Sequence, residues 1–361
     1  MDTETSKVMF ALLRSAVCGV LLSNEEISLY SPDILPAITS LAQKHDVMHL
    51  IVFALKKNRL LDESNKNLES KMLTAVYWCE KLKYELTKLC AALEQSEIPF
   101  IPLKGSVLRQ YYPEPWMRTS CDIDVLVHEE DLQRVVSYLS DNLGYRRESQ
   151  NSHDISMFTQ GGVHIEVHYK LVENSSVNSA ETVLKRIWSV AVKRDGCNYQ
   201  YEMPDEMFYF YHIAHMAKHF VSTGGCGIRP FLDLWVLNHR IDFDREKRDK
   251  LLSDGGLSVF AKQAELLSEV WFGNTMHTEI TRQMEEYILR GGDTERRPIE
   301  WWYSSKNQKH KWLTPIMEVR RWGKLIFCGH LKRTVNELKY NSAISEDAAT
   351  KAQALLKNVG L

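Results

Sequence analysis

Apolar residues recur at three- and four-residue intervals through the first quarter of the chain. In "SPDILPAITSLAQKHDVMHLIVFALKKN", Ile34, Ile38, Leu41, Val47, Leu50, Ile51 and Leu55 mostly follow that spacing, which lines up one face of a helix. Residues 6–22 and 65–96 repeat it with almost no Gly or Pro, so residues 1–97 are predicted to be a helical region. A packing scaffold accounts for that stretch better than a site of its own.

The spacing changes at "SEIPFIPLKGS". Ile98, Phe100 and Ile101 read as a short strand, and "VLRQYY" after Gly105-Ser106 as a short helix. A Pro- and aromatic-rich loop, "YPEPWMRTS", leads into "CDIDVLV", where Ile123, Val125, Leu126 and Val127 have the character of a buried strand. "HEEDLQRVVSYLSDNLGY" carries acids in its first turn and Gly144 near its end, the marks of a helix. "DISMFTQ" and "VHIEVHYKL" alternate on either side of Gly161-Gly162 and predict a hairpin. Residues 98–172 are therefore expected to form a small α/β module. Beyond it, "DEMFYFYHIAHMAKHFVS" and "RPFLDLWVLNHR" predict helices separated by the Gly-rich "TGGCG". Helical spacing then dominates, giving a mainly helical region over 173–300 and a helical one over 301–361. The expected class is α+β, a small mixed-sheet core flanked by helical regions.

Composition narrows the class only modestly. Of 361 residues, 44% are hydrophobic and 25% charged, which excludes a disordered or low-complexity chain. The formal net charge of −2 gives no global pull toward nucleic acid or an anionic membrane. Seven cysteines are scattered without a CxxC, as expected of reduced thiols in the cytoplasm. Asp2 and Glu4 stand where a signal peptide would be positive, and Arg14 interrupts the apolar run. No apolar stretch approaches the roughly 20 residues of a transmembrane helix. These features predict a cytoplasmic protein.

The candidate chemistry starts from two acids inside an apolar strand. Alternate strand residues share a face, so Asp122 and Asp124 point the same way, with Cα atoms about 6–7 Å apart. Two like charges there repel, and burial penalises each further, so a positive partner is expected between them. The hairpin offers a third acid: Val163, Ile165 and Val167 fill one face, leaving His164, Glu166 and His168 on the other. Three carboxylates on neighbouring strands suit two divalent cations, Mg²⁺ first and Mn²⁺ as the alternative. Upstream, Lys104-Gly105-Ser106 lies between a strand and a helix, where backbone N–H groups can face an anion. A phosphate beside two metals supplies the parts for in-line phosphoryl or nucleotidyl transfer.

The order LKGS, an Arg-containing spacer, D-x-D on a strand and a later strand Glu resembles the DNA polymerase β nucleotidyltransferase superfamily. More closely, "PLKGSVL…YYPEPWMRTSCDIDVLV…GY…VHIEVHYKL" resembles a bacterial uncharacterised nucleotidyltransferase-like family associated with polysaccharide gene clusters. The match is clear over residues 98–172 and weaker through "HMAKHF…GGCGIRPFLDLWVL". The resemblance implies a polymerase-β-type core and transfer of a nucleoside monophosphate from a nucleoside triphosphate such as ATP to a hydroxyl. Asp122 and Asp124 would bridge both metals. Glu166 would hold the metal that activates the acceptor and assist deprotonation. Gly105 and Ser106 would contact the terminal phosphates. From their positions alone, Lys104 either meets a phosphate or is solvated at a strand end, and Arg118 either steers a phosphate or pairs with an acid. Lys218 and Arg229, in the weaker part of the match, would meet the triphosphate, and Asp233 would orient Arg229 or complete a salt bridge.

Competing readings bear on several of these residues. A nucleotide-sugar glycosyltransferase also uses DxD, but usually without the preceding KGS and the later strand acid. A catalytically inactive member would keep the fold as a binding or scaffold protein. An EF-hand starting at Asp122 fails, because Val127 stands where Gly is required and Gln133 where the bidentate Glu belongs. His164-Ile165-Glu166 lacks the PCxxC of zinc deaminases. His164 and His168 are expected beside the ligands rather than among them. His212, His215, Lys218 and His219 share roughly one helix face. The basic amphipathic stretch "EVRRWGKLIFCGHLKRTVNELK" is read as a packed helix with a solvated face rather than a membrane contact. The acceptor, a sugar, a small molecule or a protein, and the oligomeric state are not specified by any motif.

Overall fold

The computed structural model describes residues 3–171, 178–222, 226–291 and 346–361. The N-terminal region is helical: α1 (Thr3–Val17), α2 (Asn24–Leu29), α3 (Leu35–Lys44), α4 (Met48–Lys57) and α5 (Glu69–Gln95). The stretch from Ser31 to Asn58, with its helical spacing, forms the two helices α3 and α4 after a short turn at Pro32–Ile34. The chain breaks at Asp46, whose φ of 53° lies in the left-handed region that Asp tolerates better than most residues. Ile38, Leu41, Leu50, Ile51 and Leu55 are buried as their spacing predicts.

A five-stranded sheet follows. It comprises β1 (Phe100–Pro102), β2 (Asp122–Val127), β3 (Arg146–Gln150), β4 (Asp154–Phe158) and β5 (His164–His168), in the order β1-β2-β5-β4-β3. The short α6 (Gly105–Leu108) lies between β1 and β2, and α7 (Leu132–Leu143) between β2 and β3. Gly144, at φ 64°, closes α7 in the left-handed conformation. Only β2 and β5 run parallel; β1–β2, β5–β4 and β4–β3 are antiparallel. The sheet is thus mixed, as expected, and β4–β5 is the predicted hairpin. One strand of this sheet escaped prediction. β3, "RRESQ", is exposed along its whole length at the sheet edge, so it carries no apolar alternation to reveal it. A polar edge of this kind discourages pairing with another chain.

Ile123, Val125, Val127, Ile165 and Val167 are fully buried and form the centre of the core beneath the sheet. α5 reaches β2 from the N-terminal region. On the C-terminal side come α8 (Asn178–Leu184), α9 (Ile187–Val190), a two-stranded ribbon of β6 (Val192–Lys193) and β7 (Tyr201–Glu202), then α10 (Asp205–Ser222), α11 (Arg229–Arg240), α12 (Arg245–Asp254), α13 (Ser258–Phe272) and α14 (Glu279–Gly291). α10 and α11 span the two helical stretches read from the sequence. Residues up to Arg296, with Val359–Leu361, form one compact unit. A second unit covers Arg297–Asn358, and its described part is a single helix, Glu346–Asn358. The basic amphipathic stretch at 318–339 lies outside the described residues. Among the described residues no helix is long and apolar enough to cross a membrane.

Candidate active site

The parallel pairing of β2 with β5 brings the predicted acids together. Register sets Asp122 opposite His164, Asp124 opposite Glu166 and Leu126 opposite His168. Because side chains alternate, Asp122, Asp124, His164, Glu166 and His168 rise from one face while the aliphatic residues fill the other. Candidate ligand atoms of Asp122, His164 and Glu166 lie within 4.8 Å of one another, as do those of Asp124, Glu166 and His168. Glu166 is common to both corners. His153, Asp154 and His168 make a third such group next to them.

Positive charge meets the acids from the β1–α6 turn. Lys104 Nζ lies 2.7 Å from Asp124 Oδ1 and 3.8 Å from Glu166 Oε2. His168 Nε2 lies 2.9 Å from the same Asp124 oxygen and 3.2 Å from Glu166 Oε2. Burial alone would raise the Asp124 pKa, but Lys104 and His168 outweigh it and hold the carboxyl well below its ordinary value. Burial likewise works against the Lys104 ammonium, yet Asp124, with Tyr211, Glu166 and Asp122, holds its pKa well above normal. His168 follows the same pattern: desolvation opposes its charge, and hydrogen bonds to Asp124 and Glu166 raise its pKa above the free value. The like-charge problem of the DxD strand is therefore met in part by side chains of the protein.

The KGS turn has two further features. Lys104 adopts φ 46°, ψ −121°, a conformation that costs a non-glycine residue on the order of 1–3 kcal/mol. Gly105 lets the turn approach the loop before β2, since a Cβ there would stand 3.0 Å from both Ser120 Cβ and Oγ. Ser106 Oγ is buried and, among the described residues, has no hydrogen-bond partner. An orphaned hydroxyl beside a glycine turn and an ammonium suits a phosphate oxygen.

The loop entering β2 is held from several directions. Trp78 Nε1 donates to Ser120 O at 2.8 Å, Arg109 Nε donates to Arg118 O at 3.2 Å, and His49 Nε2 lies 3.0 Å from Met117 O. Arg118 is buried, with Nε 2.6 Å from Asp233 Oδ1, and it also donates to Thr119 O. Tyr112 Oη donates to the same Asp233 oxygen at 2.7 Å. Arg229 is buried as well, with NH1 2.7 Å from Asp46 Oδ2 and 3.0 Å from both Thr119 O and Oγ1. Both guanidiniums thus grip the Thr119 carbonyl, three residues before Asp122. Asp233 pairs with Arg118 rather than with Arg229, its neighbour in sequence.

α10 supplies the facing side. His215 Nε2 and His219 Nε2 are 3.1 Å apart. Burial, then the charges of His219 and Lys104, push the His215 pKa well below normal, with Lys218 contributing in the same sense. His212, grouped with them from its spacing, is instead turned into the interior, with Nε2 3.0 Å from Pro230 O. Tyr211 was missed by sequence reasoning. Its buried hydroxyl is raised in pKa by desolvation, against Lys104 and with Asp124, Glu166 and Asp122, which places it among the site's charges. Its position four residues before His215 was the available signal.

Of the predicted residues, Lys104, Asp122, Asp124 and Glu166 converge, with Gly105 and Ser106 in the adjoining turn. Arg118 and Arg229 stand behind the loop on acids of their own, and Lys218 lies on α10 near His215. Such a donor set could hold a cation beside a phosphate.

A family model described as an uncharacterised nucleotidyltransferase matches residues 35–273, and the chain belongs to that family. The match runs from α3 to the end of α13, so the helices that brace the sheet are part of the family pattern. No curated protein and no solved structure matches the chain.

Proposed function

We propose that this member of the uncharacterised nucleotidyltransferase family moves a nucleoside monophosphate from a nucleoside triphosphate to a hydroxyl acceptor and releases pyrophosphate. The observation that carries the reading is the convergence of Asp122, Asp124 and Glu166 on one face of the sheet beside the Lys104-Gly105-Ser106 turn. Asp122, Asp124 and Glu166 would hold divalent cation, with Mg²⁺ the first choice. Bound there, such an ion supplies Lewis acidity toward phosphate oxygens.

The remaining work falls to the chain. Ser106 Oγ donates to a terminal phosphate oxygen, which removes its unmet hydrogen bond. The Lys104 ammonium neutralises charge as it builds on the leaving pyrophosphate. The acceptor oxygen forms a bond to the α-phosphorus as the bond from that phosphorus to the bridging oxygen breaks. The bonding pair leaves with pyrophosphate, and the acceptor proton passes to the Glu166 carboxylate. Arg118 and Arg229 act by fixing the loop that aims Asp122, and Lys218 meets the triphosphate from α10. A sugar, a small molecule or a protein side chain each offers a suitable hydroxyl, and the resemblance to families of polysaccharide gene clusters favours a sugar. The same setting, with cysteines scattered and no CxxC, supports a cytoplasmic enzyme.

Calorimetric titration with each of the four nucleoside triphosphates, first in Mg²⁺ and then in EDTA, tests the reading. Binding should require Mg²⁺ and weaken at least about a hundredfold in Asp122→Asn/Asp124→Asn, the scale expected when charged hydrogen-bonded ligands are lost. A folded protein that binds no triphosphate in Mg²⁺ refutes it.

A further inference from the structure

The two corners of the acid cluster differ in kind. In the inner corner, Asp124 Oδ1 already meets Lys104 Nζ at 2.7 Å and His168 Nε2 at 2.9 Å, and the carboxylate is almost completely buried. Glu166 Oε2 faces the same two groups at 3.8 and 3.2 Å. An ammonium therefore sits where a cation would have to enter. In the outer corner, the ligand atoms of Asp122, His164 and Glu166 converge, and all three residues are partly exposed. There His164 Nδ1 looks toward Glu166 Oε1 at 3.8 Å, while Nε2 shares a 2.6 Å hydrogen bond with Ser156 Oγ. A histidine whose far nitrogen is held by a hydrogen bond has its ring plane set for metal binding through the near one, and the serine hydroxyl can accept the Nε2 proton of the tautomer that leaves Nδ1 free to ligate.

Charge counting agrees with geometry. Three carboxylates against the Lys104 ammonium, with the His168 imidazole as a further partner of Asp124 and Glu166, leave at most two negative charges, which one divalent ion cancels. A second resident ion would overcharge a half-buried site unless a triphosphate arrived with it.

We propose that before nucleotide binds, this site holds one divalent transition-metal ion, ligated by Asp122, His164 and Glu166, with Lys104 as a built-in cation in place of the second metal. A nitrogen ligand moves selectivity from Mg²⁺ toward Mn²⁺ and its first-row neighbours. The sequence-based expectation of two resident ions bridged by both aspartates is replaced by one ion and one ammonium. His164 becomes a ligand rather than a neighbour of ligands. The inference rests on reading the acids as a cation site, but not on the transfer reaction.

The test is a Mn²⁺ titration of the full-length, nucleotide-free protein followed by electron paramagnetic resonance, with Mg²⁺ competition. The wild type should bind one Mn²⁺ per chain, with nitrogen-14 modulation from a coordinated imidazole. His164→Gln should abolish that modulation and weaken Mn²⁺ about tenfold or more, while changing Mg²⁺ affinity less than about threefold. His168→Asn should keep the modulation. Lys104→Met should admit a second Mn²⁺. Two Mn²⁺ per chain in the wild type overturn the proposal, as does modulation that survives His164→Gln. Should Lys104→Met fail to fold, the wild-type stoichiometry and the His164 arm decide alone. Absence of Mn²⁺ binding also overturns it, whereas Mg²⁺-dependent triphosphate binding in the same preparation would leave the nucleotidyltransfer reading standing.

Discussion

Removing the Arg118 side chain separates the two roles this residue can have. Arg118 Nε and Asp233 Oδ1 are 2.6 Å apart, and both side chains are almost wholly excluded from solvent. With charge centres about 4 Å apart and an effective dielectric near 20, their attraction is about 4 kcal/mol. Asp233 Oδ2 has no hydrogen-bond partner among the described residues, so in Arg118→Met the carboxylate keeps the hydrogen bond from the Tyr112 hydroxyl. Breaking one partner out of a buried pair in this way typically costs about 3–5 kcal/mol. For a unit of this size that amounts to a fall in melting temperature on the order of 10 °C. Differential scanning fluorimetry and urea denaturation of wild type, Arg118→Met, Asp233→Leu and the double variant form a double-mutant cycle. The double variant should regain much of the lost stability, because it buries no unpaired charge. Nucleotide titration of the same proteins supplies the second axis. A melting shift under about 2 °C, together with a tenfold or greater loss of triphosphate affinity, would refute the structural assignment and return Arg118 to the nucleotide.

Three shorter predictions follow from neighbouring residues. Gly105→Ala places a Cβ 3.0 Å from Ser120 Cβ and Oγ, so the KGS turn must shift by a few tenths of an ångström; triphosphate affinity should fall several-fold while stability drops by only about 1–3 kcal/mol. An affinity equal to wild type would detach the turn from phosphate binding. His45 is fully buried, and desolvation, then the Lys44 charge, lowers its pKa to about 3. A lowered folded-state pKa means the unfolded chain binds the proton more readily, so this contribution is complete above the free value of about 6.5 and is lost as pH falls toward 3, at about 1.4 kcal/mol per pH unit. Urea titrations from pH 7 to 4 should therefore show a shallower acid decline in His45→Leu than in wild type, and parallel curves would contradict the assignment. Lys218→Ala should weaken triphosphate binding and leave the melting temperature within about 2 °C; unchanged affinity removes Lys218 from the site.

The parts of this protein that depend on near neighbours in the chain were legible from spacing alone. The period of two in "CDIDVLV" and "VHIEVHYKL" decided which side chains share a face, because strand pleating is local and admits no alternative. The helical spacing of α10 and α11 and the glycine break of the β4–β5 hairpin were legible for the same reason. β3 was not, since all five of its residues are exposed and nothing on it need alternate. Pairings across long stretches of chain lay beyond any local pattern. Only the folded sheet puts Lys104 on Asp124, twenty residues on, and only helix packing brings Asp46 to Arg229 and Asp233 to Arg118. These contacts decide function as much as the motif does. The acids raise the expectation of a cation site from sequence, but which of their oxygens already meets an ammonium depends on distances that exist only once β1, β2 and β5 are side by side.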